Sequence, residues 1–364
     1  MWLASIRNLV LGPRSPRRQA RKHRPTRLLL ERLDDRVLPS AYTAGNVSDL
    51  IADINAANQA GGSNTITLVA GTTFNVAAVN NTTDGATGLP VITANDNLTI
   101  VGSGDTIARS TSSGTSAFRL LDVAVGGSLT LNNMMLQGGL AFGAGVSAEG
   151  GAIYNQGTLI LNGVTVQSNI AQGSAGMVSA GQSAAGGGIY SGGSLTLQGC
   201  TFNNNQAIGG QGGTNGDGLG GGAGLGGGLY VAGGTVSVSS VTFFSNNAQG
   251  GAGGDGTQFK HAKDWGSAVG GPGGNGLGGG IYVAGGTATL SNNTVDRNSA
   301  TGGAGGKGSN SLNLNGSPGL GEGGGLYIDA AALVFLDAFT QANVTQNKAS
   351  TSNNDIYGSY TPGS

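Results

Sequence analysis

Side chains able to carry chemistry are few after residue 40, and they fall in three places. Asp105 lies near Arg109, and Arg119 lies near Asp122. The run Gln258-Phe259-Lys260-His261-Ala262-Lys263-Asp264-Trp265 is the one cluster mixing aromatics, cations and an acid. Two carboxyl groups flanking a glycosidic bond would hydrolyse it as acid and base. An acid holding a metal or a substrate carboxylate, beside a basic proton acceptor, would suit a lyase. Such groups should sit at matching outward positions of neighbouring strands. There the sequence has Thr and Ser, with Ile160 and Phe335, while Asp296-Arg297 stands apart as a solvated ion pair. Asp105/Arg109 and Arg119/Asp122 are expected to pair on the surface. For 258–265 one reading is recognition by Phe259, Lys260, His261, Lys263, Asp264 and Trp265. Loops on a rigid scaffold carry such contacts, here by stacking on a sugar or inserting into a partner protein. The plainer alternative has Trp265 packing the loop against the body of the protein.

Cofactor motifs are weak. Gly250-Gly251-Ala252-Gly253-Gly254-Asp255 fits the first six positions of the G-G-x-G-x-D-x-U-x calcium nonapeptide, and Gly212 to Leu219 fits it with Asn215 in place of glycine. Calcium is shared between tandem nine-residue turns, whereas Asp217 and Asp255 lie 38 residues apart, so no cofactor is assigned. Gly-x-Gly-x-x-Gly patterns have no strand-to-helix context for a phosphate. His23 and His261 lack metal-ligand company. A single cysteine, Cys200, excludes an internal disulfide and is expected to pack as a small apolar residue.

The elements that would position these residues follow from composition and repetition. Of 364 residues 73 are Gly, and 10% are charged, against about 7% and 25% in ordinary chains. Gly-Gly doublets and the lack of a three-residue period exclude collagen. Recurrent alternating apolar runs exclude disorder. Residues 1–40 carry a net charge of +7 and residues 41–364 a net of −8, so the body offers nucleic acid no footprint. No stretch approaches the roughly 18 apolar residues of a membrane span. The basic leader lacks the apolar core of a secretory signal. Its end, Leu30-Glu31-Arg32-Leu33-Asp34-Asp35-Arg36-Val37-Leu38-Pro39-Ser40, resembles the L-E-x-L-E-D-R-x-x-P-[SA] leader of planctomycete extracellular proteins, with Asp34 for the usual glutamate. That resemblance implies export to a secreted or cell-surface location, with a domain starting near Ala41.

Five copies of Gly-Gly-[Ala/Gly]-[Ile/Leu]-Tyr end at Tyr154, Tyr190, Tyr230, Tyr282 and Tyr327. An alternating run follows each, then an apolar-x-x-Asn-x-Ala element. The units 150–171, 186–207, 226–248, 278–300 and 323–349 are 22 to 27 residues long, and a worn copy spans 126–141. The segments between them vary from 8 to 29 residues. A constant module with elastic insertions at one corner is a solenoid. Its period of two, as in Leu159/Leu161, Leu195/Leu197 and Val236/Val238, makes it a β-solenoid. Three short strands per unit are expected, around Ile-Tyr, Leu-Thr-Leu and the apolar-x-x-Asn element. Leu and Val should face inward, and Thr130, Thr196, Ser237 and Thr289 outward. Asn169, Asn205, Asn246, Asn298 and Asn347 should stack at a turn in left-handed backbone, their amides bonding along the column. The Gly doublets should supply positive φ at another corner.

Gly150-Gly151-Ala152-Ile153 and Phe202-Asn203-Asn204-Asn205 resemble the GGAI and FxxN repeats of the polymorphic outer membrane protein family, which form β-helical passenger domains on bacterial surfaces. The resemblance implies a right-handed parallel β-helix of the pectate-lyase-like kind. That family's membrane barrel does not follow Asp355-Ile356-Tyr357-Gly358, so attachment by its route is not expected. Ahead of the repeats, Val47, Leu50, Ile51 and Ile54 form the face of a helix, about 47–60, between Asp49 and Gly61. A solenoid end needs covering, and this helix is expected to cap it. Ile66-Thr67-Leu68-Val69 and Leu98-Thr99-Ile100-Val101 would be early coils, giving about eight over 65–357. The sequence thus predicts a basic leader, 1–40, before an all-β domain, 41–364. The expected function is a non-catalytic scaffold for adhesion or envelope structure, contacting a glycan or a surface protein. A polysaccharide lyase or glycoside hydrolase is the first alternative, and an inert envelope component the second.

Overall fold

A computed structural model describes residues 40–143, 145–261, 264–309 and 314–363, with backbone alone at 215, 259–261 and 264–266. The leader, apart from Ser40, lies outside the described residues. The body is all-β, and its long sheets are parallel: equivalent segments of successive repeats hydrogen-bond side by side. One ladder runs through Thr158–Asn162, Ser194–Gln198, Thr235–Ser239, Gly286–Ser291 and Ala332–Leu336. It aligns Leu161 with Leu197, Val238, Leu290 and Leu336, all buried. A second aligns Val166, Phe202, Phe243 and Val295, and Phe202 stacks on Phe243 at 4.7 Å. Burying such side chains contributes roughly 1.5–3 kcal/mol each, which is why the period-two pattern holds its register.

Each repeat carries five short strands rather than three. The ladder aligning Ile153, Ile189, Leu229, Ile281 and Leu326 was expected. Two more flank the insertions. One aligns Ala171, Ala207, Ala248 and Ala300; the other joins Ala184–Ala185, Gly224–Leu225, Gly276–Leu277 and Gly321–Glu322. Strands of two to four residues are too short to display a period.

The N-terminal part continues the first two ladders. Asp96–Arg109 and Ser128–Gln137 are long strands that run across both, and Ile66 aligns with Ile100. Helix α1, Val47–Ala60, joins Ser40–Ala44 to its parallel neighbour Gly62–Leu68. It starts at Asn46, whose side chain accepts the Asp49 N–H at 3.0 Å, and ends at Gly61 with φ of 64°. Leu50 and Ile54 are fully buried, and Val47 and Ile51 pack against the same core.

The Asn column is present, buried to 4% exposure or less. Each Nδ2 donates to the next Oδ1: Asn169 to Asn205 (3.0 Å), Asn205 to Asn246, Asn246 to Asn298 and Asn298 to Asn347 (2.9 Å each). Asn347 donates in turn to Asp355 at 2.9 Å, which ends the column. The left-handed residue is the one before each Asn: Ser168, Asn204, Ser245, Arg297 and Gln346, with φ of 53–55°. The Asn is thereby freed to turn its amide into the column. Beside the Asn column the first Gly of each doublet has positive φ, 64° at Gly186. The second abuts the next repeat, so that a Cβ on Gly187 would overlap the Gly227 carbonyl oxygen.

The insertions are not loops. Their legs form a second folded layer of hydrogen-bonded backbone outside the strands. Outgoing legs 173–176, 209–213, 250–256 and 302–308 lie side by side: Gly212 N–H donates to Ala252 O and Gly253 N–H to Ala304 O, both at 2.8 Å. Return legs 218–223, 268–275 and 314–320 do likewise, Gly221 to Pro272 O (2.9 Å) and Gly273 to Ser317 O (2.8 Å). Between the layers runs a zigzag of 2.8 Å bonds: Gly251 to Gly222 O, Gly274 to Gly251 O, Gly303 to Gly274 O and Gly319 to Gly303 O. A second zigzag repeats it three residues further out, with Gly271 donating to Gly254 O and Gly306 to Gly271 O. Three residues per turn without internal hydrogen bonds is the polyproline II repeat. The runs Gly-Gly-Gln-Gly-Gly, Gly-Gly-Ala-Gly-Gly and Gly-Gly-Pro-Gly-Gly carry that period locally, although the chain as a whole lacks it. Both glycines of each triplet face neighbouring legs, and the third residue, such as Gln211 or Pro272, faces solvent. On the outermost return leg Pro318 stands where Gly221 and Gly273 donate in the inner legs. An edge there is left without an orphan N–H.

Candidate functional site

Neither Asp105 with Arg109 nor Arg119 with Asp122 forms a surface pair. Asp105 is 1% exposed and accepts the N–H groups of Thr72 (2.9 Å) and Ser103 (2.8 Å), holding the turn where the strand register shifts. Arg109 instead donates to Gly138 O and Ser116 O, at 3.0 and 3.2 Å. It lines a cleft of about 480 Å³ with Thr106, Gln137 and Ser168. Each of the two charges satisfies backbone rather than meeting the other. Asp296 and Arg297 do pair, at 3.6 Å, and Arg297 is exposed as expected. Cys200 is a buried free thiol, its pKa raised by burial.

Arg119 and Asp122 are the larger surprise, being 6% and 0% exposed. Segment 84–88 covers them: Arg119 Nη1 donates to Asp84 O at 2.6 Å, and its guanidinium lies 4.8 Å from the Tyr154 ring centroid. Asp122 occupies the register position that holds Tyr in every later repeat, and neither carboxylate oxygen has a hydrogen-bond partner. Burial, against the opposing pull of Arg119, raises its pKa from 3.8 to about 6. The folded state therefore binds this proton more tightly than the unfolded chain. Stability is full below pH 3.8 and falls as pH rises through about 6. Asp122→Asn is expected to be more stable than the native chain at pH 8, by on the order of 2–3 kcal/mol, and level with it near pH 3.5. Urea melts at the two pH values measure this, and equal stability at pH 8 would refute it.

Beyond Asp122 runs a stack that the motif concealed. Tyr154, Tyr190, Tyr230, Tyr282, Tyr327 and Tyr357 lie ring on ring, with centroids 4.5–5.2 Å apart. Their equal placement in each repeat was the available signal. Partial burial raises the phenol pKa values of Tyr154, Tyr190, Tyr230, Tyr282 and Tyr327, the last to about 12. Rings this close, with protonated hydroxyls, make a stiff lateral wall without an acid or base suited to neutral pH.

Segment 258–266 stands on the Gly layer. Phe259–His261 and Asp264–Gly266 form an antiparallel hairpin at the end of the longest insertion, with Lys260 opposite Trp265. The side chains of Phe259, Lys260, His261, Asp264 and Trp265, and Lys263 altogether, lie outside the described residues. The other tips differ from it. Thr214–Asn215 turns back on Asp217–Gly218, and in the first long insertion Met177 and Val178 are 86% and 71% exposed. The aspartates of the two calcium-like stretches are joined to backbone: Asp217 accepts the Val269 N–H at 2.8 Å and Asp255 the Lys307 N–H at 2.7 Å. They tie the far ends of adjacent legs. Among the described residues no three His, Cys, Asp or Glu side chains converge, and no helix is long and apolar enough to cross a membrane. No protein-family model, curated protein or solved structure matches the chain.

Proposed function

We propose that this protein is an exported, non-catalytic scaffold of the cell surface, acting in adhesion or envelope structure through the tips of its Gly layer. The architecture we infer is a right-handed parallel β-helix of about eight coils, with α1 capping the N-terminal end. One observation carries the functional reading: the insertions, the most variable part of the repeat, are braced leg to leg by backbone hydrogen bonds out to their ends. A braced platform loses little conformational entropy when its tips bind. The residues a β-helix enzyme would use are here engaged in holding turns or sealed beneath segment 84–88. The resemblance of the leader to planctomycete extracellular proteins, and of the repeats to surface passenger domains, favours export.

Binding of residues 41–364 to a glycan array and to envelope fractions tests the reading. Retention that falls at least about tenfold in Trp265→Ala is expected, the loss typical of a buried aromatic anchor. Release of sugar fragments from polyuronates or glycans would replace the scaffold with an enzyme. Absence of binding to either would leave an inert envelope component.

A further inference from the structure

The strand face aligned with Leu161, Leu197 and Val238 turns its other side to solvent, away from the Gly layer, and that side is a lattice of hydroxyls. Thr158, Ser194, Thr235 and Thr287 form one column in unbroken register. Thr130, Thr196, Ser237 and Thr289 form the next, interrupted once by Ile160. Parallel strands place neighbours in a column about 4.8 Å apart, and alternate residues place the columns about 6.6 Å apart. From Ser128 to Ser291 no outward position of this face is charged, whereas an ordinary soluble surface is about a quarter to a third charged. Among the described residues, none of these column hydroxyls hydrogen-bonds to the protein.

We propose that this face binds ice. A surface repeating in two dimensions fits a ligand that does the same, and its two spacings approach those of the oxygen atoms on a prism face of hexagonal ice. Thr suits the task, because its hydroxyl joins the water lattice while its methyl, stiff at χ1, holds the adjacent water in place. A sugar polymer is the weaker fit: glycan sites need aromatic faces and planar bidentate groups, and both columns lack them. The inference does not depend on the scaffold reading, since it uses the opposite side of the molecule.

The test is partition of the full chain into a slowly growing ice front, together with inhibition of ice recrystallisation. The native chain should enter the ice. Thr196→Tyr and Ser237→Tyr should each raise the concentration needed for inhibition at least about tenfold by lifting the lattice off the face. Gln249→Tyr, on an exposed strand position beside the Gly layer, should have no effect. Thr196→Val should retain more activity than Thr196→Ser if the methyl holds water as argued. Unchanged melting temperatures show that the Tyr variants fold. Exclusion of the native chain from ice, full activity in both Tyr variants, or binding of this face to insoluble polysaccharide instead would overturn the proposal.

Discussion

Replacing Asn246 by Ala is expected to lower the unfolding free energy by about 3–5 kcal/mol. The side chain is 1% exposed and engaged on both sides. Its Nδ2 donates to Asn298 Oδ1 (2.9 Å) and Phe202 O (3.0 Å), and its Oδ1 accepts the Asn205 N–H (3.0 Å) and amide (2.9 Å). Alanine would leave those partners buried and unpaired, which costs more than the bonds themselves contribute. Asn246→Asp should be at least as damaging at neutral pH, since a carboxylate accepts but cannot donate to Phe202 O or Asn298 Oδ1. At the end of the column Asp355→Asn should be nearly neutral, because acceptance from Asn347 needs only the retained oxygen. Chemical denaturation of the three variants decides the matter. A cost below 1 kcal/mol for Asn246→Ala would mean that water or a shifted neighbour replaces the column.

Gly251→Ala is the sharpest test of the Gly layer. Gly251 donates to Gly222 O and accepts from Gly274, both at 2.8 Å, and a Cβ there would overlap the Gly210 carbonyl oxygen of the preceding leg. Overpacking typically costs 1–3 kcal/mol, and here no flexible side chain can yield, because the obstacle is backbone. The expected result is loss of amide protection at Gly222, Gly251 and Gly274 by at least about a hundredfold, with the Leu161 and Leu197 strands still protected. Hydrogen exchange is the right measurement, since a stacked repeat protein opens in parts rather than all at once. Gln211→Ala, on the solvent side of the same layer, should leave protection unchanged. If Gly251→Ala kept full protection, the legs would be independent loops, and the rigid platform behind the proposed adhesion would go with them.

The two variants probe different kinds of order. Asn246 belongs to the wall of strands, where apolar side chains supply most of the energy and the amide column sets the turn. Gly251 belongs to a layer almost devoid of apolar side chains, where close approach of backbones replaces a hydrophobic core. That layer can exist because it grows from a solenoid that already spaces its legs.

The sequence by itself was enough for the register of the repeats, the inward Leu and Val, the outward Thr, the Asn column with its amide bonds, and α1 over about 47–60 ahead of Gly61. Each of these is a short-range pattern of period two or 3.6, or a cap, and recurs in neighbouring units, so local residues suffice to specify it. Only the tertiary structure decided what the glycines do, because Gly251 finds its hydrogen-bond partners at Gly222 and Gly274 on separate legs and no local pattern names them. The same holds for Asp122 and Arg119, whose burial depends on segment 84–88, some 35 residues away. The six stacked tyrosines belong here too: their spacing along the chain was visible, but ring-on-ring contact required the rungs to lie one strand apart. Backbone hydrogen bonds and aromatic faces are indifferent to sequence distance, and so their partners become known only when the chain is wound.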